Sequence, residues 1–211
     1  MPDIQVPDMV VSRLPLYLRT LRHLEAGGAQ VTSSHELAGR LGLSSAQIRK
    51  DLSYFGRFGK QGTGYDVGNL RSQLERILGV DQRWAMVLVG AGALGQAVIH
   101  YAGFYERGFY IAHVFDNDPA KIGTEISGLT IRASADMPLR IRDDRIKIAV
   151  VAVPSDSAQA VADELVDAGI EAILNYAPIS LTVPRQVQVE QIDPLIYLQH
   201  MVYYLNAARG D

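Results

Sequence analysis

The run "WAMVLVGAGALGQAV", Trp84 to Val98, restricts the possible folds more than any other stretch of the chain. Six residues, Trp84 to Val89, are apolar without alternation, as in a strand covered on both faces. Gly90, Gly92 and Gly95 follow directly in G-x-G-x-x-G spacing, with a helical pattern opening inside the motif. In that arrangement the first glycine permits a tight turn and the second lets backbone approach a pyrophosphate. The third lets the helix pack against the strand. The loop Gly90, Ala91, Gly92, Ala93, Leu94 and Gly95 then presents backbone N–H groups to phosphate at a helix start.

The rest of the C-terminal half keeps the same grammar. "FYIAHVFDND" reads as a second strand, "IKIAVVAVP" as a third ending at Pro154, "SDSAQAVADELVDAG" as a capped amphipathic helix and "IEAILNYAP" as a further strand. The helix opened by the glycines is expected to run through "AGALGQAVIHYAGFYERG". Alternating β and α predicts a parallel sheet with helices on both faces. Asp116 closes the second strand. A carboxylate there accepts from both ribose hydroxyls and repels a 2′-phosphate, which favours NAD(H) over NADP(H). Asp116 also fits a turn or a helix cap in "DNDP".

The N-terminal part reads differently. Leu14, Leu18, Leu21 and Leu24 share one helical face, and Gly27-Gly28 ends that helix. Ser33-Ser34 open a short helix, Gly42 makes a turn, and Ser44 or Ser45 caps the next helix, which buries Ile48, Leu52 and Phe55. Two short helices around a glycine turn form a helix-turn-helix, the second being the reading helix. Its candidates toward DNA are Ser45, Gln47, Arg49, Lys50, Ser53 and Tyr54. "GRFGKQGTGYDV" suggests a β-hairpin wing with Phe58 and Tyr65 in its strands and Lys60 and Gly62 toward DNA. An amphipathic helix with Leu70, Leu74, Ile77 and Leu78 inward completes a winged helix.

Charge follows the same division. Residues 1–80 carry 10 Lys+Arg against 7 Asp+Glu, and residues 81–211 carry 10 against 16. Between Gly39 and Gly64, Arg40, Arg49, Lys50, Arg57 and Lys60 face one acid, Asp51, so a basic face is local to the helix-turn-helix. The chain has no cysteine, which excludes disulfides and thiol switching. His23, His35, His100, His113 and His200 lack metal-ligand spacing, and His113 reads as a core histidine. No metal site is expected. No apolar run approaches a membrane span and no leader pattern opens the chain, so a cytoplasmic protein is expected.

The expected fold class is α/β. An arm (1–11) precedes a winged helix-turn-helix domain (12–80) and a Rossmann-like parallel-sheet domain (81–192), and a C-terminal helix follows (193–211). That helix, "DPLIYLQHMVYYLNAARG", is apolar on more than one face. It is therefore buried in its own subunit or packed between subunits. About 130 residues remain after the winged helix, which a Rossmann domain nearly fills, leaving no room for a substrate domain. This favours a DNA-binding module with a dinucleotide effector. The competing readings are an NAD-dependent oxidoreductase with a fused helical domain and a regulator that senses coenzyme A.

The stretches "RKDLSYFG", "GTGY", "VGAGALG", "YAGF", "FDNDPAKIG" and "ILNYAP" resemble, in matching order over nearly the whole chain, the Rex family of redox-sensing transcriptional repressors. The resemblance implies a non-enzymatic homodimer that binds a palindromic operator in double-stranded DNA, with NADH and NAD⁺ as ligands. NADH releases it from respiratory and fermentative genes. It implies that Arg49 and Lys50 are the reading pair, that Tyr101 lies near the nicotinamide and that the C-terminal helix is swapped between subunits. It further implies that Asp193 exchanges Tyr101 for Arg19 as partner. Some relatives carry an arginine at the position of Gln61 and a phenylalanine at that of Pro194.

Overall fold

The computed structural model describes residues 6–59 and 63–207 and separates into two compact units between Gln82 and Arg83. In the first unit, α1 spans Asp8–Val11 and α2 spans Leu14–Ala26. Part of the expected arm is thus a single helical turn that buries Val10, too short to show a period. Leu14, Leu18, Leu21 and Leu24 are buried along α2, as their spacing requires, and Tyr17 is buried with them. Strand β1 (Val31–Thr32) leads to α3 (Ser34–Leu41) and α4 (Ser45–Ser53). Ser33 and Ser44 cap these helices, each accepting the N–H three residues on at 3.1 Å. Each cap is worth about 1 kcal/mol. Gly42, at φ 67°, makes the turn between α3 and α4 in the left-handed region, where only glycine is unstrained.

Strand β2 (Tyr65–Asp66) and α5 (Val67–Ile77) complete the unit. Leu70 and Leu74 of α5 close one core with Leu37, Ile48, Leu52 and the α2 leucines. The expected hairpin is corrected in part. Tyr65–Asp66 pairs antiparallel with Val31–Thr32, while Phe58 packs against the core outside any strand. A two-residue strand carries no visible alternation, so its pairing with a segment before α3 could not be read. Lys60, Gln61 and Gly62 lie outside the described residues.

The second unit runs β3 (Trp84–Val89), α6 (Ala93–Ile99), β4 (Phe109–Asp116), β5 (Glu125–Ile126), β6 (Leu129–Ala133) and α7 (Met137–Asp143). It continues with β7 (Ile148–Val151), α8 (Ser155–Ala168), β8 (Ala172–Asn175), β9 (Gln188–Gln191) and α9 (Pro194–Ala207). One sheet has the order β5-β6-β4-β3-β7-β8-β9, and only β5 runs antiparallel to its neighbour. Val87 and Val89 pack with Met137, Ile141 and Leu165, whereas Met86 and Leu88 pack with Val98, Val114 and Ile131. Both faces of β3 are therefore covered, which is why its sequence does not alternate. The strand order reverses between β3 and β7, the place where such sheets open a crevice at their carboxyl ends.

Two sequence expectations differ, and one of two alternatives for the last helix is removed. The helix after the glycines stops at Ile99, well short of Gly108. Beyond it, a β-carbon on the buried Gly103 would stand 2.5 Å from Arg107 Nη1 and 2.6 Å from the Tyr101 ring, so this segment packs against its own side chains. Helix α8 has Pro154 at its N-cap and no capping side chain. The α9 side chains are all exposed, so this helix is not buried in its own subunit.

Candidate DNA-reading face and nucleotide cleft

Helix α4 carries the DNA candidates on a short element fixed by its cap and core. Arg49 and Lys50 are exposed, and the Arg49 Nη1 donates to Ser34 Oγ at 3.0 Å. Burial raises the Tyr65 phenol above its ordinary value while the nearby Arg49 charge opposes that rise. Ser34 and Tyr65 therefore flank Arg49, a role that sequence reasoning missed because their numbers are distant. Ser45 is the first residue of α4, the cap being Ser44. Ser53 Oγ donates to the Lys50 carbonyl at 2.7 Å, and Tyr54 follows the helix end, half-buried. Gln47 is engaged inward: its Nε2 donates to Asp51 Oδ1 at 2.6 Å.

Asp51 is fully buried and also accepts from Arg13 Nε at 2.6 Å, Arg13 Nη2 at 2.8 Å and Tyr17 Oη at 2.5 Å. Burial works against its charge, yet the bonds from Arg13, Tyr17 and Gln47 outweigh burial and hold the carboxyl below the ordinary carboxylate range. In the sequence Asp51 was only the lone acid of a basic stretch. Its partners Arg13 and Tyr17 stand 38 and 34 residues away, so no local pattern announced them.

In the second unit a cavity of about 810 Å³ opens at the carboxyl ends of β3, β4 and β7. Gly90, Gly92, Asp116, Lys121, Pro154 and Ser157 are among its lining residues. The three glycines differ as their positions predict. A β-carbon on Gly90 would stand 2.4 Å from the Ala152 carbonyl oxygen, and one on Gly95 would stand 1.9 Å from the Gly90 carbonyl oxygen. At Gly92 it would meet no protein atom within 4 Å, so this backbone faces open space. Ala91 and Gly95 are buried, and Ala93 and Leu94 are exposed at the start of α6.

Asp116 is buried at the cavity edge. Its Oδ2 accepts the Ala91 N–H at 2.8 Å and Lys121 Nζ at 3.1 Å, and its Oδ1 accepts the Asp118 N–H at 2.9 Å. Burial opposes the charge, but these donors hold the carboxyl below its ordinary range. The turn reading and the cavity reading of Asp116 are thus both realised. An ionised carboxylate has about four acceptor positions, so roughly one remains open here. Accepting two ribose hydroxyls requires Lys121 to yield. Lys121 stands inside the "FDNDPAKIG" stretch and was not singled out from the sequence.

Tyr101 is exposed beyond α6 and lines a smaller hollow of about 180 Å³ with His100, Phe104, Tyr105 and Tyr110. Its ring meets Phe104 edge-on, with centroids 5.2 Å apart. Burial and the adjacent Tyr101 both raise the Tyr176 phenol, so "YAGF" and "ILNYAP" converge. Asp193 caps α9, its Oδ1 accepting the Leu195 N–H at 2.9 Å. Arg19 is exposed on α2. His113 is not a plain core residue: its Nε2 lies 2.6 Å from Asp144 Oδ2. Among the described residues no cluster could hold a metal ion, and no helix is long and apolar enough to cross a membrane.

A capped helix-turn-helix in one unit and a glycine-loop cleft at a sheet switch point in the other define a ligand-responsive transcription regulator. Residues 5–53 match a model for a DNA-binding protein N-terminus, and residues 81–179 match a CoA binding domain model. The chain is 52% identical to the redox-sensing transcriptional repressor Rex of Chloroflexus aggregans over 95% of both chains. It is 42% identical to that of Streptomyces coelicolor, covering 98% of this chain and 80% of the relative. The crystal structure of RSP in complex with β-NAD⁺ and operator DNA matches at TM-score 0.92 and 38% identity, covering 97% of this chain and 94% of RSP. RSP in complex with β-NADH matches at TM-score 0.89 and 36% identity, covering 98% and 97%. The chain belongs to the Rex family of redox-sensing transcriptional repressors. It is a transcriptional regulator, and the oxidoreductase reading is set aside.

Proposed function

We propose that this chain binds operator DNA through α4 when NADH is scarce and leaves it when NADH occupies the cleft of the second unit. The observation that carries this reading is the cavity edged by Gly92 and Asp116. Gly92 has room for an approaching pyrophosphate, and Asp116 supplies a charged acceptor suited to a ribose. Gly90, Ala91, Gly92, Ala93, Leu94, Gly95, Asp116 and Pro154 would hold the dinucleotide. The ligand supplies a nicotinamide whose ring charge differs between NAD⁺ and NADH. Arg49 and Lys50 would reach base edges or phosphate, with Ser45, Gln47, Ser53 and Tyr54 beside them on or next to α4; Lys60 and Gly62, outside the described residues, are further candidates toward DNA.

The working form is a homodimer built through α9. Leu195, Ile196, Leu198, Met201, Val202 and Leu205 are all more than half exposed, an apolar surface that a soluble chain covers with a partner. Two copies reading half-sites a helical turn or more apart would make a palindromic operator, and rotation between them would break simultaneous docking. Arg19, Tyr101 and Asp193 are the proposed switch, in the cytoplasm where operator DNA is found. Coenzyme A is the competing ligand, favoured by the domain match over residues 81–179.

The test is fluorescence anisotropy of a duplex selected by the protein, with NADH, NAD⁺ and coenzyme A titrated separately. NADH should release the duplex at concentrations where NAD⁺ does not. Release by coenzyme A alone would replace the ligand, and release by none would remove the sensing role.

A further inference from the structure

We propose that Asp51 is a positioning residue for base reading, fixing the orientation of α4 and of the Gln47 amide. The proposal rests on the reading of α4 as the DNA-binding helix. Asp51 lies one helical turn after Gln47 on the inward side of α4, with its side chain fully buried. A buried carboxylate is costly unless it is paired, and apolar residues of similar volume hold helices together at least as well. What the cluster adds beyond an apolar contact is therefore geometry.

That geometry is specific. The Arg13 guanidinium meets both carboxylate oxygens through Nε and Nη2, a planar two-point contact that fixes direction as well as distance. Tyr17 Oη adds a third donor from the next turn of α2. Arg13 and Tyr17 belong to the start of α2, so Asp51 ties the roll of α4 about its axis to α2. The fourth donor, Gln47 Nε2, comes from the first turn of α4, where helix-turn-helix proteins contact base edges.

The chemistry of the cluster also removes an ambiguity at Gln47. A glutamine amide can turn over, exchanging its donor and acceptor ends. An ionised carboxylate only accepts, so the end facing Asp51 must be the NH₂ group. A glutamine reads adenine through one N–H and one C=O presented in a defined order. Asp51 selects that order before DNA arrives, without touching DNA.

The test begins with a randomised duplex pool, from which the wild-type dimer selects a preferred site. Affinities are then measured for all single-base changes in that site and for random duplex. Gln47→Ala should flatten the preference at one base pair per half-site. Asp51→Asn should flatten the same pair, with random-duplex affinity and NADH affinity held within about twofold. The double variant should be no flatter than either single one, because both act through one contact. Retention of the wild-type preference by Asp51→Asn, equal losses on selected and random duplex, or additive losses in the double variant would overturn the proposal. Should Asp51→Asn unfold the first unit by circular dichroism, Tyr17→Phe replaces it, removing one donor and keeping the ring. It should flatten the same pair to a smaller degree, and an unchanged preference would overturn the proposal. A wild-type chain that selects no duplex would instead sink the DNA-binding reading itself.

Discussion

Among the described residues each unit buries one carboxylate, and the two are built in opposite ways. Asp51 is closed in by the side chains of Arg13, Tyr17 and Gln47, drawn from two helices. Asp116 is held by two backbone N–H groups and one lysine, at the edge of a cavity. Both are held below the ordinary carboxylate range against the effect of burial. A carboxylate sealed by long side chains fixes one helix against another and offers nothing to a ligand. One carried by backbone donors at a cavity edge keeps acceptor capacity facing outward. The same residue type therefore locks two helices together in the first unit and edges an open cavity in the second.

The largest expected effect is on Asp51. Asp51→Ala leaves the Arg13 charge and the Tyr17 hydroxyl without their acceptor, and should cost the first unit about 3–5 kcal/mol. Trp84, the chain's one tryptophan, lies in the second unit and reports on it separately. In urea titrations the helical circular dichroism should lose an early fraction while the Trp84 fluorescence midpoint stays in place. If both signals shift together, the two carboxylates do not act in separate units.

The two sites differ in how much of them the sequence disclosed. Asp116 could be read because strand, glycine loop and acid are consecutive, and their spacing encodes a βαβ unit. The caps Ser33 and Ser44 and the αL Gly42 were legible for the same local reason. Asp51 was opaque because Arg13 and Tyr17 come from another helix, and packing rather than spacing brings them to it. The β1–β2 pairing failed likewise, since two-residue strands have no period. Helix α6 was read too long because the apolar pattern continues through Tyr101, past the observed end at Ile99. Lys121 lay inside a quoted motif, but only the fold turns its ammonium toward Asp116.

The glycine loop gives a second and smaller contrast, between packing and recognition within one motif. Gly95→Ala forces a β-carbon into the Gly90 carbonyl, and should cost about 1–3 kcal/mol as an overpacked contact. Gly92→Ala adds a methyl group to open space, and should change stability by less than about 0.5 kcal/mol. It should nonetheless weaken NADH at least tenfold by calorimetry. Equal nucleotide affinity in Gly92→Ala would show that no ligand approaches that backbone.

Acid should separate the carboxylates further. The folded-state pKa of Asp51 is depressed, so the stability it contributes is fully present above the ordinary carboxylate value, near 3.9. That stability is lost as pH falls through the lower folded value, because the unfolded state then binds the proton more readily. Wild-type protein should lose first-unit stability from about pH 4 downward in urea titrations. Asp51→Asn should start lower and show a shallower acid limb, with the Trp84-reported limb unchanged. Parallel limbs in the two proteins would mean that Asp51 has no depressed value.

The smallest effect concerns Lys121, and it follows from the crowding of Asp116. The sequence assigned exclusion of a 2′-phosphate to that carboxylate alone. The lysine Nζ stands 3.1 Å from Asp116 Oδ2 and 3.7 Å from Asp118 Oδ2, partly neutralising both. Bonding to Asp116 raises the lysine above its ordinary value, so it stays charged throughout the physiological range. An ammonium there competes with ribose hydroxyls for Asp116, yet attracts a phosphate. Lys121→Ala should therefore leave NADH binding equal or tighter and weaken NADPH, widening the preference several-fold. The lysine is about one-third exposed, so solvent screening keeps the change modest and salt-dependent. Calorimetry with both nucleotides at low and high salt checks it. A preference that narrows in Lys121→Ala, or that is unmoved at low salt, would return the whole discrimination to Asp116.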